Sequence, residues 1–210
     1  MDIRNKTSEG IRQIKKEAEV LKGAKSKNKL YPSRRQFDDA SAAKLEFPKC
    51  KTKLFDVNAW SNIPAIASST FELFSQDGQP IKRQRVENGD FIRIDLPGPL
   101  PFYWVKVTGT SEAEDEAQFT VQPAYDPTDK TDDKTVTDHF FQDQARSIFR
   151  VERKGHEILA MEIGINEAIN NKGAEAGEKG LINTLVSEGG WAGFQQYQWK
   201  NLTDYLVGNS

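Results

Sequence analysis

The chain has 210 residues, 37% hydrophobic and 29% charged, with 29 Lys and Arg against 31 Asp and Glu for a net charge of −2. That length suffices for one sizeable core, while no apolar run approaches a membrane span and the N-terminus lacks the apolar centre of a secretory signal. The expected setting is the cytoplasm, or an assembly exported without a signal peptide, and the single cysteine, Cys50, excludes an internal disulfide.

The charge is unevenly spread. Residues 1–35 carry eleven Lys and Arg but only four acids, so a basic arm leads an acidic body. Ser8 can cap a helix on which Ile11, Ile14, Ala18 and Leu21 form one narrow stripe and which Gly23 stops. Such a helix either lies on the body or engages another protein, and Lys15, Lys16 and Lys22 are its candidate contacts. Nucleic acid is a weaker match, because no aromatic residue is interleaved before Tyr31. Residues 23–49 read as a linker with at most a short helix near 36–45. Residues 1–50 are thus expected as arm and linker, and 51–210 as the body.

A short extended run at 53–57 precedes a brief helix or turn interrupted by Pro64. Residues 70–74 read as a strand, closed by the turn signature Gln76-Asp77-Gly78. The next strand opens at Gly89-Asp90 and places Ile92, Ile94 and Leu96 on one face. Beyond the prolines at 97–101, Tyr103, Val105 and Val107 share a face, with Phe102, Trp104 and Lys106 opposite. Another strand at 117–124 turns Phe119 and Val121 inward. Ser147, Phe149 and Val151 then lead to a turn at Lys154-Gly155, from which Leu159, Met161 and Ile163 return. After Gly164 the period becomes helical, with a short helix at 181–186 and a longer one marked by Trp191, Phe194, Gln198, Leu202 and Tyr205. Strands first and helices last predict an α+β fold: an antiparallel sheet or partly closed barrel covered by a C-terminal helix, with the basic N-terminal helix separate.

Catalytic motifs are absent from this sequence. It has no GxSxG elbow, no phosphate-cradling GxxxxGK[ST] and no GxGxxG after a strand. His139 and His156 lack the ligand spacing of a zinc site, and Asp138 beside His139 would point away from it in a strand. Asp126, Asp129, Asp132 and Asp133 lack the spacing and glycine of a calcium loop, and the acids at 112–116 read as a solubilising tip. A reactive Cys50 would need its neighbouring lysines to approach the thiol. No cofactor or metal is therefore expected, and the enzyme reading lacks an acid, base or nucleophile.

The most informative run is Pro97-Gly98-Pro99-Leu100-Pro101-Phe102-Tyr103-Trp104. Stiff loops lose little entropy on binding, and Tyr and Trp are frequent interface anchors, so Pro97, Pro99, Pro101, Phe102, Tyr103 and Trp104 form the candidate interface of the body. By order of elements, residues 51–207 also resemble the START-type helix-grip lipid carriers; that resemblance implies an apolar cavity between sheet and helix. Two functions are expected: an interaction or assembly protein, binding a protein partner or its own copy through arm and loop, or a carrier of a small apolar ligand.

Overall fold

A computed structural model of the chain describes residues 27–64, 69–98, 102–130, 144–167 and 190–209. The expected basic helix with Lys15, Lys16 and Lys22, the helix at 181–186, and Pro99, Pro101 and His139 lie outside the described residues. Among the described residues seven antiparallel strands form one sheet: β1 (Lys27–Gln36), β2 (Thr70–Phe74), β3 (Phe91–Asp95), β4 (Phe102–Glu112), β5 (Glu116–Pro123), β6 (Arg146–Lys154) and β7 (Glu157–Glu167). Their order is β1-β7-β6-β5-β4-β3-β2, a meander from β2 to β7 whose last strand receives β1 along its free edge. The described residues also include the helices α1 (Ala40–Phe55) and α2 (Gly190–Val207) and a 3₁₀ turn at Val57–Asn62, in the α+β architecture expected from the sequence.

The segment read as a linker is instead the start of the body. Residues 27–36 pair with β7 from Lys27↔Glu167 to Gln36↔Glu157. An edge strand tolerates Pro32, and its many charged residues discourage further pairing. The short helix expected at 36–45 becomes α1, capped by Asp39, whose carboxylate accepts the Ala42 N–H at 2.8 Å. It continues through Pro48, so that Ala43, Phe47, Cys50 and Leu54 line one buried face. The expected extended run at 53–57 is accordingly helical.

Alternation decides the strands. Val105 and Val107, Phe119 and Val121, and Phe149 and Val151 point toward the helices and form the main core with Phe47, Leu54, Phe55, Trp60 and Leu202. Trp60 sits at its centre, with the rings of Phe149, Phe71 and Phe119 at 5.1, 5.4 and 5.8 Å, and its indole N–H donates to Lys53 O at 2.9 Å. Phe74, Phe91, Trp104 and Ala124 form a smaller cluster on the opposite sheet face.

Two details depart from the sequence reading. The β6–β7 turn has Gly155 and His156 as its central residues, between the pair Lys154↔Glu157, with Gly155 at φ +59°. Counting back from it puts Ile158, Ala160, Glu162 and Gly164 on the core face, and Leu159, Met161 and Ile163 on the other. On α2 the buried positions are Gln195, Gln198, Leu202, Thr203, Leu206 and Val207, so the stripe is broader than expected and Phe194 is only half-buried.

Candidate functional site

Between the sheet and α2 lies a cavity of about 60 Å³, several times the space one water needs. Its walls are mainly apolar: Trp60 and Phe71, Ile92 and Ile94 of β3, Val105, Val121, Phe149, and Trp199 of α2. Trp199 packs its ring 5.5 Å from Phe149 and 6.4 Å from Phe71, so that sheet and helix meet through aromatic faces. Gln122, Arg146, Ser147, Glu167 and Gln195 supply the polar lining.

Glu167 reaches this lining through a bulge. Lys27 and Lys29 of β1 lie opposite Glu167 and Gly164 of β7, so β7 carries one residue more than its partner there. Asn166 takes the positive φ of 54°, and its N–H donates to Asn28 Oδ1 at 3.0 Å. The extra residue breaks the alternation and turns Glu167 back over the strand. Gly164 permits this, since a Cβ at that position would collide with the Glu167 carboxylate.

Lys29 lies beside it on β1. Its ammonium stands 3.5 Å from Glu167 and also donates to Gln195 Oε1 on α2, which joins both sheet strands to the helix. Glu162 completes the group from the core face of β7, flanked across the strands by Phe149 and Tyr31. It is fully buried, and Ser147 on the neighbouring β6 is the one hydrogen-bonding side chain that acts on its carboxyl among the described residues. Burial pushes its pKa well above the usual carboxylate range and the Glu167 charge pushes the same way, while Ser147 and Lys29 oppose them. Two buried carboxyls thus share one lysine.

The positions expected to form an interface are dispersed. Tyr103 and Trp104 are buried on opposite faces of β4, where alternation sends one toward the core and the other into the second cluster, so neither is a surface anchor. Pro97 is half-buried. Among the described candidates Phe102 alone is exposed, at 39%, with the Arg93 guanidinium 4.4 Å from its ring centre. Cys50 faces the core, and burial pushes its thiol up to about 11. The acids at 112–116 do more than solubilise: Glu112 pairs with Arg85 at 2.7 Å, Glu114 with Lys44 of α1 at 2.8 Å, and Asp115 with Arg153. Among the described residues no His, Cys, Asp and Glu group is placed to hold a metal, and no helix is long and apolar enough to cross a membrane.

Sequence reasoning missed Glu162, Glu167 and Lys29. Counting back from the Gly155-His156 turn places Glu162 opposite Phe149 and could have found it. No comparable signal announces the bulge.

No family model and no curated protein matches the chain. Among solved structures, a hypothetical protein from Helicobacter pylori superposes with a TM-score of 0.54 over 92% of this chain and 93% of its own, at 11% identity. Major latex-like protein 151 from Panax ginseng reaches 0.38 over 77% of this chain and 93% of its own at 12% identity. Norcoclaurine synthase from Thalictrum flavum reaches 0.39 over 90% and 91% at 10% identity, and both of these fits are too loose to establish a common fold. The Helicobacter protein shares the fold, a likeness that carries no activity with it.

Proposed function

We propose that the protein binds a small, mainly apolar molecule in the cavity between the sheet and α2. The observation that carries this reading is an aromatic-walled void closed at one end by buried charged groups. A purely structural core gains by filling such space, because a void forfeits contacts and costs on the order of 1 kcal/mol at this size. A ligand that fills the void offsets that cost.

Trp60 and Trp199 line the cavity and report on it directly. Titration with 2-phenylethanol, a neutral aromatic alcohol whose ring requires the cavity to widen, is expected to change tryptophan fluorescence saturably and to raise the melting temperature. Ala145→Phe, at a buried lining position, should abolish the fluorescence response while the chain remains folded. A response that survives this substitution would place binding elsewhere and overturn the reading.

The exposed ring of Phe102 favours a second function, contact with a protein partner through the edge of the body near Pro97. The expected basic arm would strengthen such a contact in a salt-sensitive way. Phe102→Ala should then weaken association by about 1 kcal/mol or more and leave melting unchanged; lost stability with intact association would assign the ring to packing.

A further inference from the structure

We infer that Trp199 of α2 is the wall that gives way when a ligand enters the cavity and that it limits the ligand to a single ring, a conclusion that rests on the cavity reading and adds the residue that selects. A void that takes benzene measures roughly 150 Å³, and this one holds about 60 Å³. A ring-bearing ligand therefore needs one wall to move, and most of the wall is held. Ile92, Val105, Val121 and Phe149 stand on strands paired along both edges, each at most 4% exposed. Trp60 is buried, and its indole N–H is spent on Lys53 O at 2.9 Å. Phe71 lies on the edge strand β2, but Ser61 Oγ accepts its N–H at 2.7 Å and donates to its carbonyl at 2.8 Å. Ile94 is half-buried, yet a β-branched side chain is stiff and vacates little space.

Trp199 is held differently. Its ring is half-buried, bridges Phe71 at 6.4 Å and Phe149 at 5.5 Å, and donates its N–H to no acceptor among the described residues. The helix beneath it is fastened before and after this position. Lys29 donates to Gln195 Oε1, the Ser69 N–H donates to Gln198 Oε1 at 2.8 Å, and Thr203 shares its 2.7 Å bond with Ser33. Room is therefore gained by turning the Trp199 ring to another rotamer, toward solvent, while α2 stays in place. The ligand's ring then takes over the contacts with Phe71 and Phe149. Only the inner part of the half-buried indole occupies the interior, so its swing frees room for one six-membered ring and falls short of a fused pair.

2-Phenylethanol and 1-naphthaleneethanol share a head group and differ by one fused ring. In calorimetric titration of the full chain the phenyl compound is expected to bind at least about tenfold more tightly, the lower end of what a one-methylene misfit costs in an apolar pocket. Trp199→Ala should raise the affinity for the naphthyl compound at least about tenfold and erase that preference. Trp199→Phe keeps an aromatic wall with one ring fewer and should shift the preference the same way by a smaller factor, so the comparison stands even where the alanine variant does not fold. In the parent, 2-phenylethanol should also move tryptophan emission to longer wavelength as Trp199 turns to water. Trp199→Phe should lose that shift and still bind, which a merely structural Trp199 would not show. Equal or reversed binding of the two compounds by the parent, or an unchanged preference in a folded Trp199 variant, would overturn the role of Trp199 and leave the cavity reading intact. Silence from both compounds in the parent would overturn both.

Discussion

Glu162 keeps its shape but loses its ability to ionise when replaced by glutamine, which isolates its charge. Its folded pKa is raised above the ordinary glutamate value. The folded state is therefore favoured below about pH 4 and loses that advantage as pH rises toward the folded value. Glu167 on β7, Lys29 on β1, Ser147 on β6 and Gln195 on α2 face the same end and set the balance. E162Q is expected to melt at the same or a higher temperature than the parent at neutral pH, with a shallower decline as pH increases from acid to neutral; thermal scans across pH check this. Phe149 tests the packing on the other side of the cavity wall. Its ring lies 5.1 Å from both Trp60 and Phe119 and 5.5 Å from Trp199, so Phe149→Ala should cost about 3–5 kcal/mol in urea unfolding. Cys50, with its thiol at about 11, should react with iodoacetamide at neutral pH only as fast as the chain opens.

Elements with a plain period of two were legible in the sequence, and the reasons for the failures are physical. β2 to β5 carry large apolar residues on the core face, so Ile92, Val105, Val107, Phe119 and Val121 read correctly. β7 inverts the rule: its core face holds Ala160, Glu162 and Gly164, and its larger residues Leu159, Met161 and Ile163 face away. A reading that follows hydrophobicity selects the wrong face there. β1 was illegible because an edge strand needs few apolar residues and admits proline, and α1 because Pro48 reads as a stop. The α1 cap can be checked directly: Asp39→Ala should cost about 1 kcal/mol, the usual loss of one cap hydrogen bond. On α2, Leu202→Ala should cost about 2–5 kcal/mol because Leu202 is buried, and Phe194→Ala distinctly less because Phe194 is half-buried. Equal losses would mean that the helix sits rotated from the arrangement described here.

Across the whole molecule, the two ends of the described chain are fastened to each other. Ser33 and Thr203 share a hydrogen bond of 2.7 Å, Arg35 donates to Gly208 O at 3.2 Å, and Asn209 donates to Arg34 O at 3.1 Å. Arg35 and Lys53 both place positive charge against the carboxyl end of α2, where the helix dipole welcomes it. β1 is thus part of the foundation of α2 as well as the last strand of the sheet. A chain beginning at residue 27 is expected to melt cooperatively, whereas one beginning at residue 37 should lose both the cooperative transition and the cavity; circular dichroism of the two truncations decides it. These links join residues 170 to 175 positions apart, and β1 pairs with the distant β7, whereas from β2 to β7 each strand pairs with the next in sequence. Order in time follows from that distance, because long loops close late and local hairpins form early. On a ribosome the meander can assemble while α2 is still inside the tunnel, leaving β1 waiting without its helical cover. The cavity comes into being last, when α2 docks on the sheet, so the proposed ligand capture would report that the molecule has closed.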